Sequence, residues 1–380
     1  MAQRSEHRDG LLAAAKSISE TVRTHAATAE REGTIAREVV EALVGARLFD
    51  AYRPKEIGGL DADPLTLVEM VEAIAFDDGS TGWCLGMGGI IAGLAASRLP
   101  DAGIEEVFGP DPQTLCAGGF VPRLEAKGAS DGHALSGRFP FASGCKHAAW
   151  MVVTGVVEGT RGPDSVRTFV VPAAEVEILE NWQVAGLDGT ASNDLALEDV
   201  FVPATRSFPA YTSRSRRGGP LWKLPVLSAA SVGHLGFSLG CGARALDDIA
   251  DYAETQRFGS SAPIANRPVF QRDYARARTR LRAARLAAFE SFGAIAEAGE
   301  EATIGQRAEL TASVVHAYQT ATAAAEFAFR AGGASSLYRT GSLQRCFRDL
   351  QAGSQHVVAS DEGFERAGQV MLGVGEPTFL

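Results

Sequence analysis

The sequence predicts an α+β fold in which a β domain lies between two helical regions. Apolar residues recur with a helical period near the N-terminus, with a two-residue period in the middle, and with a helical period again from Leu221 onward. Strands and helices do not alternate along the chain, so a doubly wound parallel sheet is not expected. The predicted domains are residues 1–112, 113–210 and 211–380.

The first helical region extends from about Leu11 to Leu99. Ile35, Val39 and Leu43 recur four positions apart, which places them on one stripe of a helix. The segment RPKEIGGLDADP interrupts this pattern with glycine and proline. A new helix is predicted to start after it, at Asp63-Pro64, because proline is favoured in the first turn of a helix.

The middle region consists of short runs rich in β-branched residues, such as VRTFVVP and LALEDVFVP, separated by Gly, Pro, Asn and Asp. These runs predict a compact antiparallel β domain. The final region consists of long, alanine-rich helical runs, broken at FGSSAPIANRP, EAGEEATIG and AGGASSLYRTG. Small residues allow helices to approach closely, so an antiparallel helix bundle is expected.

The last predicted helix is one continuous segment from Arg345 to Phe364. With 100° per residue, Phe347 and Leu350 lie on its apolar face, and His356 lies roughly opposite. Small residues beside His356 suggest that this second face contacts a ligand or another subunit. The histidine is equally explained as an exposed side chain or one satisfied inside the core.

Composition and charge exclude several functional classes. The net charge of −10 argues against a nucleic-acid or anionic-membrane partner. The five dispersed cysteines predict reduced thiols in a cytoplasmic protein, and no Cys or His spacing typical of a metal site is present. The longest apolar stretch, Leu85–Ala96, is too short to span a bilayer. There is neither a dinucleotide-binding glycine fingerprint nor a phosphate-binding P-loop.

Five stretches, in this order, carry a resemblance to a known family: DDGSTGWCLG, GRFPFASGCKHAAW, WQVAGLDGTASNDLALEDVFVP, QRFGSSAPIANRPVFQ and RCFRDLQAGSQHVVASDEGF. Together, over nearly the whole chain, they resemble the acyl-CoA dehydrogenase superfamily. Within it, the two-component (group D) flavin-dependent monooxygenases are the most similar. The resemblance implies an acyl-CoA dehydrogenase-like fold and the oxygenase component of a two-component system.

Such an enzyme hydroxylates a small, aromatic substrate through a flavin C4a-hydroperoxide. The resemblance further implies reduced FMN or FAD supplied by a separate reductase, O2 as co-substrate, and a cytoplasmic homotetramer. N- or S-oxygenation is possible on the same scaffold, because the protein mainly positions the oxidant of the cofactor. An oligomeric binding protein without catalysis is a further alternative.

The resemblance also assigns residues at the reactive edge of the flavin. In FPFASG, it implies that the Ser143 hydroxyl and backbone amide act as donors beside flavin N5 and C4a, with Phe141 and Ala142 near the ring. In CAGGFVP, it implies that Gly118 and Gly119 run along the flavin. An ordinary turn serine and an ordinary glycine turn explain the same residues.

Residues for the flavin phosphate are implied farther along the chain. Arg257 and Ser260 suit a phosphate, and Gln271 matches a glutamine of the dehydrogenases. Gly332 and Gly333 match a loop that holds the cofactor of a neighbouring subunit. An arginine that interacts with a helix dipole is the alternative explanation of Arg257.

For the substrate side, the resemblance implies that Trp83 lines the pocket and that His356 acts as acid or base and contacts the substrate. A buried core tryptophan is the alternative for Trp83. If Glu362 were instead the base, the protein would be an FAD-dependent acyl-CoA dehydrogenase. Asp188 departs from the pattern, because relatives often carry an arginine there, which weakens an anion-binding role for this loop.

Overall fold

The computed structural model describes residues 2–111, 113–255, 262–375 and 377. The N-terminal helices are α1 (Ala2–Ser17), α2 (Ser19–Glu32), α3 (Arg37–Gly45), α4 (Pro64–Asp77), α5 (Gly79–Arg98) and α6 (Asp101–Val107). As predicted, α4 begins at Pro64, and the Asp63 carboxylate accepts a hydrogen bond from the Thr66 backbone N–H at 3.2 Å. This side-chain cap satisfies one of the backbone donors that a helix start leaves unpaired.

The middle of the chain forms one eight-stranded sheet. Its strands are β1 (Cys116–Gly118), β2 (Leu124–Ala129), β3 (Gly132–Phe139), β4 (Trp150–Val157), β5 (Val166–Pro172), β6 (Glu177–Leu179), β7 (Asp194–Pro203) and β8 (Ser207–Pro209). The strand order is β6-β7-β3-β2-β4-β5-β8. Strand β1 pairs with the beginning of β4, on the same side of β4 as β2.

The sheet was predicted to be antiparallel, and it is mixed: five strand pairings are antiparallel, but β1 and β2 run parallel to β4. Parallel neighbours require a connection that carries the chain back to the starting end of the sheet. Here the antiparallel strand β3 returns the chain to that end, and residues 140–149, which contain the FASG turn, then lead past β2 to the start of β4. Alternation along a strand shows which face is buried, but it does not show strand direction.

The C-terminal region contains α7 (Val226–Ala253), α8 (Pro268–Ala298), α9 (Ile304–Gly332), α10 (Ser342–Gly353) and α11 (Asp361–Met371). The breaks between α7, α8, α9 and α10 fall in the three predicted segments. Among the described residues, α5 and α7 are long and apolar enough to cross a membrane. However, 94% of the apolar segment of α5 and 83% of that of α7 are buried inside the protein, as is common for core helices.

The predicted single helix from Arg345 to Phe364 is in fact two helices joined by a turn at residues 354–360. Within the turn, the His356 N–H donates to the Gly353 carbonyl and the Ala359 N–H donates to the His356 carbonyl. The Val358 N–H donates to the ring Nδ1 of His356 at 3.2 Å. Backbone and side-chain acceptors within the turn therefore replace the helical bonds.

The N-terminal and C-terminal helices share one apolar core, which includes residues such as Leu43, Ile74, Leu235 and Val314. The sheet has its own apolar cluster, and a smaller third cluster joins α5 to β1 and β4. Helix α5 therefore contacts both layers, and its second turn lies where they meet. The predicted domain boundaries follow the change of secondary structure and remain a prediction.

Candidate active site

The candidate site is centred on Trp83, in the second turn of α5. Its indole N–H donates to the Ser143 hydroxyl at 3.0 Å. The same indole contacts the rings of His234, Phe237 and His356, with centroid distances of 5.0, 5.1 and 6.1 Å. The structure therefore brings together Trp83, Ser143 and His356, which come from three distant parts of the sequence.

The Ser143 hydroxyl begins a chain of hydrogen bonds that leads away from Trp83. It lies 2.7 Å from the Ser192 hydroxyl, which lies 2.7 Å from that of Thr190. Thr190 donates its only hydroxyl proton to the Leu187 carbonyl at 2.8 Å. Because each hydroxyl has one proton to donate, Ser192 must donate to Thr190, and Ser143 must donate to Ser192.

This direction changes the chemistry expected of Ser143. Its backbone N–H also donates within the turn, to the Phe141 carbonyl at 3.0 Å. Both donors that the sequence assigned to the flavin edge are therefore engaged inside the protein. The hydroxyl oxygen retains one lone pair, so Ser143 offers a ligand a hydrogen-bond acceptor.

Phe141 stands beside this serine in an unusual conformation. Its φ is +63°, in the left-handed region that large side chains rarely adopt, and its side chain is 67% exposed. The ring meets Trp182 edge to face at 6.3 Å. The next residue, Ala142, is fully buried, and its N–H donates to the Asn193 carbonyl at 3.0 Å. Strained backbone of this kind is concentrated at functional sites.

The two glycines of CAGGFVP lie at the end of β1. A Cβ on Gly118 would lie 1.9 Å from the Val152 carbonyl oxygen, and φ is +129°, so the packing of β4 already requires glycine there. Gly119 donates its N–H to the same carbonyl at 2.8 Å. The chain then leaves the sheet, and the Val121 side chain is 54% exposed. Contact of these glycines with a cofactor remains a prediction.

His356 lies in the turn between α10 and α11, and its side chain is half-buried. Burial lowers the pKa of His356 to about 4, so the ring is neutral near pH 7. Its Nδ1 accepts the Val358 N–H, so the proton of the neutral ring resides on Nε2. This arrangement gives the site one imidazole N–H that the turn itself does not use.

Sequence reasoning missed two residues of the cluster, His234 on α7 and Tyr318 on α9. The His234 ring lies 4.1 Å from the His356 ring, and its Nδ1 lies 3.2 Å from the Tyr318 hydroxyl. The available signal was a single histidine in the otherwise apolar run VGHLGFSLG, three residues before Phe237. Ser192 and Thr190 were also missed, although the polar run GTASN indicated a hydrogen-bonded turn.

A buried charged cluster fixes the loop that carries Thr190 and Ser192. The Asp349 carboxylate on α10 accepts the Leu187 N–H at 2.6 Å, and burial raises the pKa of Asp349 to about 7. Arg348 pairs with Glu30 of α2 and with Asp188 at 3.3 Å. Asp188 is thus a partner for an arginine of the same chain.

Gln271, Gly332 and Gly333, which the resemblance assigns to cofactor binding, are not part of this cluster. Gln271 donates to the Ala265 carbonyl at 2.8 Å at the start of α8. Gly332 and Gly333 end α9, where a Cβ on Gly332 would lie 1.9 Å from the Ser336 hydroxyl. Arg257 and Ser260 lie outside the described residues. Cofactor binding by all five, with Arg257 and Ser260 at the phosphate, remains a prediction.

Glu362, the alternative base, lies in the first turn of α11. Its side chain is 71% exposed and pairs with Arg366 at 3.4 Å on the same helix. A base that removes a proton from carbon must reach the substrate inside a protected site. The location of Glu362 therefore argues against the acyl-CoA dehydrogenase alternative.

Comparisons with known proteins identify the family of the chain. The N-terminal domain of acyl-CoA dehydrogenase matches residues 4–99, and the C-terminal domain matches residues 232–361. The chain is 33% identical over 357 residues to indole-3-acetate monooxygenase of Pseudomonas putida, covering 90% of this chain and 89% of that protein. It is 29% identical over 374 residues to the flavin-dependent monooxygenase oxygenase subunit HsaA of Mycobacterium tuberculosis, covering 93% and 92%.

Solved structures show the same fold. XiaF from Streptomyces, in complex with FADH2 and glycerol, superimposes with a TM-score of 0.90 at 24% identity, covering 98% of both chains. The HsaA monooxygenase of M. tuberculosis superimposes with a TM-score of 0.89 at 25% identity, covering 98% of this chain and 100% of that one. The chain therefore belongs to the acyl-CoA dehydrogenase superfamily, and within it to the two-component monooxygenases that depend on reduced flavin.

Proposed function

We propose that this monooxygenase hydroxylates a small aromatic substrate, with reduced FMN or FAD from a separate reductase and with O2. The observation that carries the proposal is the convergence of Ser143, Trp83 and His356 in one cluster. When bound, the reduced flavin supplies the two electrons with which one oxygen atom enters the substrate and the other becomes water.

The residues present fit a reduced flavin. Phe141 is exposed in a strained conformation beside the buried Ser143, which provides an apolar surface next to a hydrogen-bond acceptor. A reduced flavin carries a ring N–H that the oxidised form lacks, and the free lone pair of Ser143 matches this donor. Phe141, Ala142 and Ser143 would therefore hold the reactive edge of the ring.

The remaining residues serve the substrate. Trp83 and Phe237 are buried aromatic residues that keep water from the reacting atoms. The neutral His356 can donate its Nε2 proton to a departing oxygen, whereas its Nδ1 already accepts the Val358 N–H and is not free to take a proton from the substrate. An aromatic wall with one adjacent imidazole suits a planar substrate that carries a polar group.

The names of relatives support this substrate class. Besides the indole-3-acetate monooxygenase of Pseudomonas putida, the chain is 32% identical over 220 residues to an FADH2-dependent resorcinol hydroxylase of Rhizobium. Indole-3-acetate and resorcinol are small aromatic molecules with a polar substituent. They are therefore suitable first probes for this enzyme, although its own substrate can differ from both.

We also propose that the protein is a cytoplasmic homotetramer. Leu337 and Tyr338 are 68% and 69% exposed in the loop that follows the two glycines at the end of α9. Two exposed large apolar side chains in one loop favour contact with another copy. All five cysteines are buried and unpaired, which suits a reducing compartment.

Anaerobic titration with reduced FMN and reduced FAD, followed by oxygen, tests the function. We expect tight binding of at least one reduced flavin, weaker binding of its oxidised form, and addition of one oxygen atom to indole-3-acetate, resorcinol or a related phenol or indole. Mass spectrometry of the product and hydrogen peroxide release measure the outcome. Absence of reduced-flavin binding would exclude the proposed function.

Replacement of Ser192 by alanine tests the acceptor role of Ser143. Without Ser192 the Ser143 proton loses its acceptor, so the hydroxyl can rotate and no longer holds its lone pair toward the ligand. We expect the preference for reduced over oxidised flavin to fall about fivefold, which corresponds to about 1 kcal/mol, the net value of one hydrogen bond. Thr190→Ser keeps every hydroxyl and is the control. An equal loss of affinity for both flavin forms would contradict this role.

A further inference from the structure

His356 lacks the support that a helix would give it. It lies in the turn at residues 354–360, and within that turn its ring receives one hydrogen bond, from the Val358 N–H to Nδ1. This one hydrogen bond fixes the tautomer of His356, but the imidazole ring can still rotate about the axis of that bond. A group that transfers protons must be held in orientation, so the fixing contacts must come from elsewhere in the fold.

The nearest such contact is His234. Its ring lies 4.1 Å from that of His356, with 36° between the planes, and the residue is fully buried in α7. Burial, together with the neighbouring His356, lowers the pKa of His234 well below its ordinary value. His234 is therefore neutral, and one of its ring nitrogens carries a proton while the other accepts.

Tyr318 determines which nitrogen this is. Burial raises the pKa of Tyr318 well above its ordinary value, so the side chain remains a phenol. Its hydroxyl lies 3.2 Å from His234 Nδ1, the one hydrogen-bond acceptor recorded for it among the described residues. The phenol donates to Nδ1, which leaves the His234 proton on Nε2.

The Nε2 atom of His234 is buried and has no conventional hydrogen-bond partner among the described residues. Such atoms are rare in folded proteins and require an explanation. The Trp83 ring lies 5.0 Å away at 89°, an edge-to-face arrangement in which an aromatic face can receive a ring N–H. This contact would connect His234 to Trp83 at the centre of the site.

We propose that Tyr318 and His234 form a positioning pair for His356. The Tyr318 hydroxyl fixes the tautomer and rotation of His234, and the fixed His234 ring holds the imidazole of His356 with its Nε2–H available to the substrate. The consequence for activity rests on the proposed role of His356. The tautomers and the contact between the rings do not depend on that role.

Nuclear magnetic resonance of protein with 15N-labelled histidine tests the pair without any substrate. The spectra show which ring nitrogen of each histidine carries the proton. We expect both His234 and His356 to carry it on Nε2, and the His234→Phe and His356→Ala variants assign the two sets of signals. A wild-type His234 with its proton on Nδ1 would overturn the proposal.

Two variants test whether the pair acts on His356. Tyr318→Phe removes one oxygen atom, so we expect His234 to populate both tautomers and the His356 signals to shift. His234→Phe keeps an aromatic ring but lacks the anchor to Tyr318, and it should shift the His356 signals in the same way. Tyr274→Phe removes a hydroxyl elsewhere in the bundle and should change neither histidine. If the His356 signals were unchanged in both test variants, the proposal would be refuted.

Kinetics separate positioning from a purely structural role. We expect both test variants to slow product formation by roughly tenfold to a hundredfold, the effect of a small misplacement of a reacting group. The dissociation constant of reduced flavin should stay within about twofold of the wild-type value. Parallel losses of flavin affinity and melting temperature would instead indicate damage to the core. If the wild-type protein oxidises no substrate, the proposed function fails, but the tautomers still decide the present proposal.

Discussion

Replacement of His356 by alanine should slow substrate oxidation by roughly a hundredfold to ten-thousandfold, the usual contribution of a general acid or base. Reduced-flavin affinity should change little, because the hydrogen bonds that we assign to the flavin come from the Ser143 turn in the sheet domain. Stopped-flow mixing of the protein, reduced flavin and substrate with oxygen measures both quantities. In the variant, more of the flavin electrons should appear as hydrogen peroxide.

The matched control is His316→Ala. His316 is an exposed histidine on α9, outside the site cluster. Its replacement should leave substrate oxidation and peroxide release at wild-type values. If His356→Ala turned over substrate at the wild-type rate, His356 would have no part in proton transfer.

The pH dependence of substrate oxidation should reflect the low pKa of His356. Because burial lowers the pKa of His356 to about 4, the ring is neutral across the physiological range and becomes charged only in acid. The rate of substrate oxidation should therefore show no loss assignable to His356 between about pH 6 and pH 8. A fall in rate that begins near pH 7 must come from another group or from a change in the His356 environment when ligands bind.

The order of the domains was predictable because helix starts and breaks depend on local residues. Asp63-Pro64 caps and starts α4, and the glycine-rich segment after α9 ends that helix, as expected. The parallel pairing was not predictable, because it depends on which strands become neighbours, and β4 lies beside β2 and not beside β3, the strand that precedes it in the chain. The helix end at Gly353 was also missed, because that glycine meets the Phe237 ring, 116 positions earlier in the chain, where a Cβ would lie 2.6 Å away.

Residues of the site could be predicted only where they lie in a recognisable sequence motif. Trp83, Ser143 and His356 lie in recognisable stretches, and the structure brings them together. His234 and Tyr318 belong to two core helices whose sequences contain no local signal for a pair, and their contact joins residues 84 positions apart. The direction of the Ser143 hydrogen bond required the positions of three other groups, Ser192, Thr190 and the Leu187 carbonyl.

The second large effect should appear at Asp349, because this buried carboxylate holds the loop that supports Ser143. Asp349→Ala leaves the Leu187 N–H without its acceptor, and an unpaired buried donor costs on the order of 1–3 kcal/mol of stability. Asp349→Asn retains an acceptor oxygen but removes the charge. The alanine variant should therefore have a lower melting temperature than the asparagine variant at every pH, and its preference for reduced flavin should also weaken.

The two variants also separate the hydrogen bond from the charge. Burial raises the pKa of Asp349 from 3.8 to about 7 in the folded protein, so between these values the folded state holds a proton that the unfolded state has released. Wild-type stability should therefore fall as the pH rises through this window, and Asp349→Asn should lack that component.

Asp247→Asn changes a carboxylate that is 49% exposed, and this control should retain the wild-type slope. Melting temperatures measured from about pH 4.5 to pH 8 give the comparison. Because the asparagine variant has no carboxylate to ionise, its stability relative to the wild type should improve up to about pH 7 and then level off. Parallel curves for the wild type and Asp349→Asn would mean that Asp349 is already ionised in the folded protein, held so by Arg345 and Arg348.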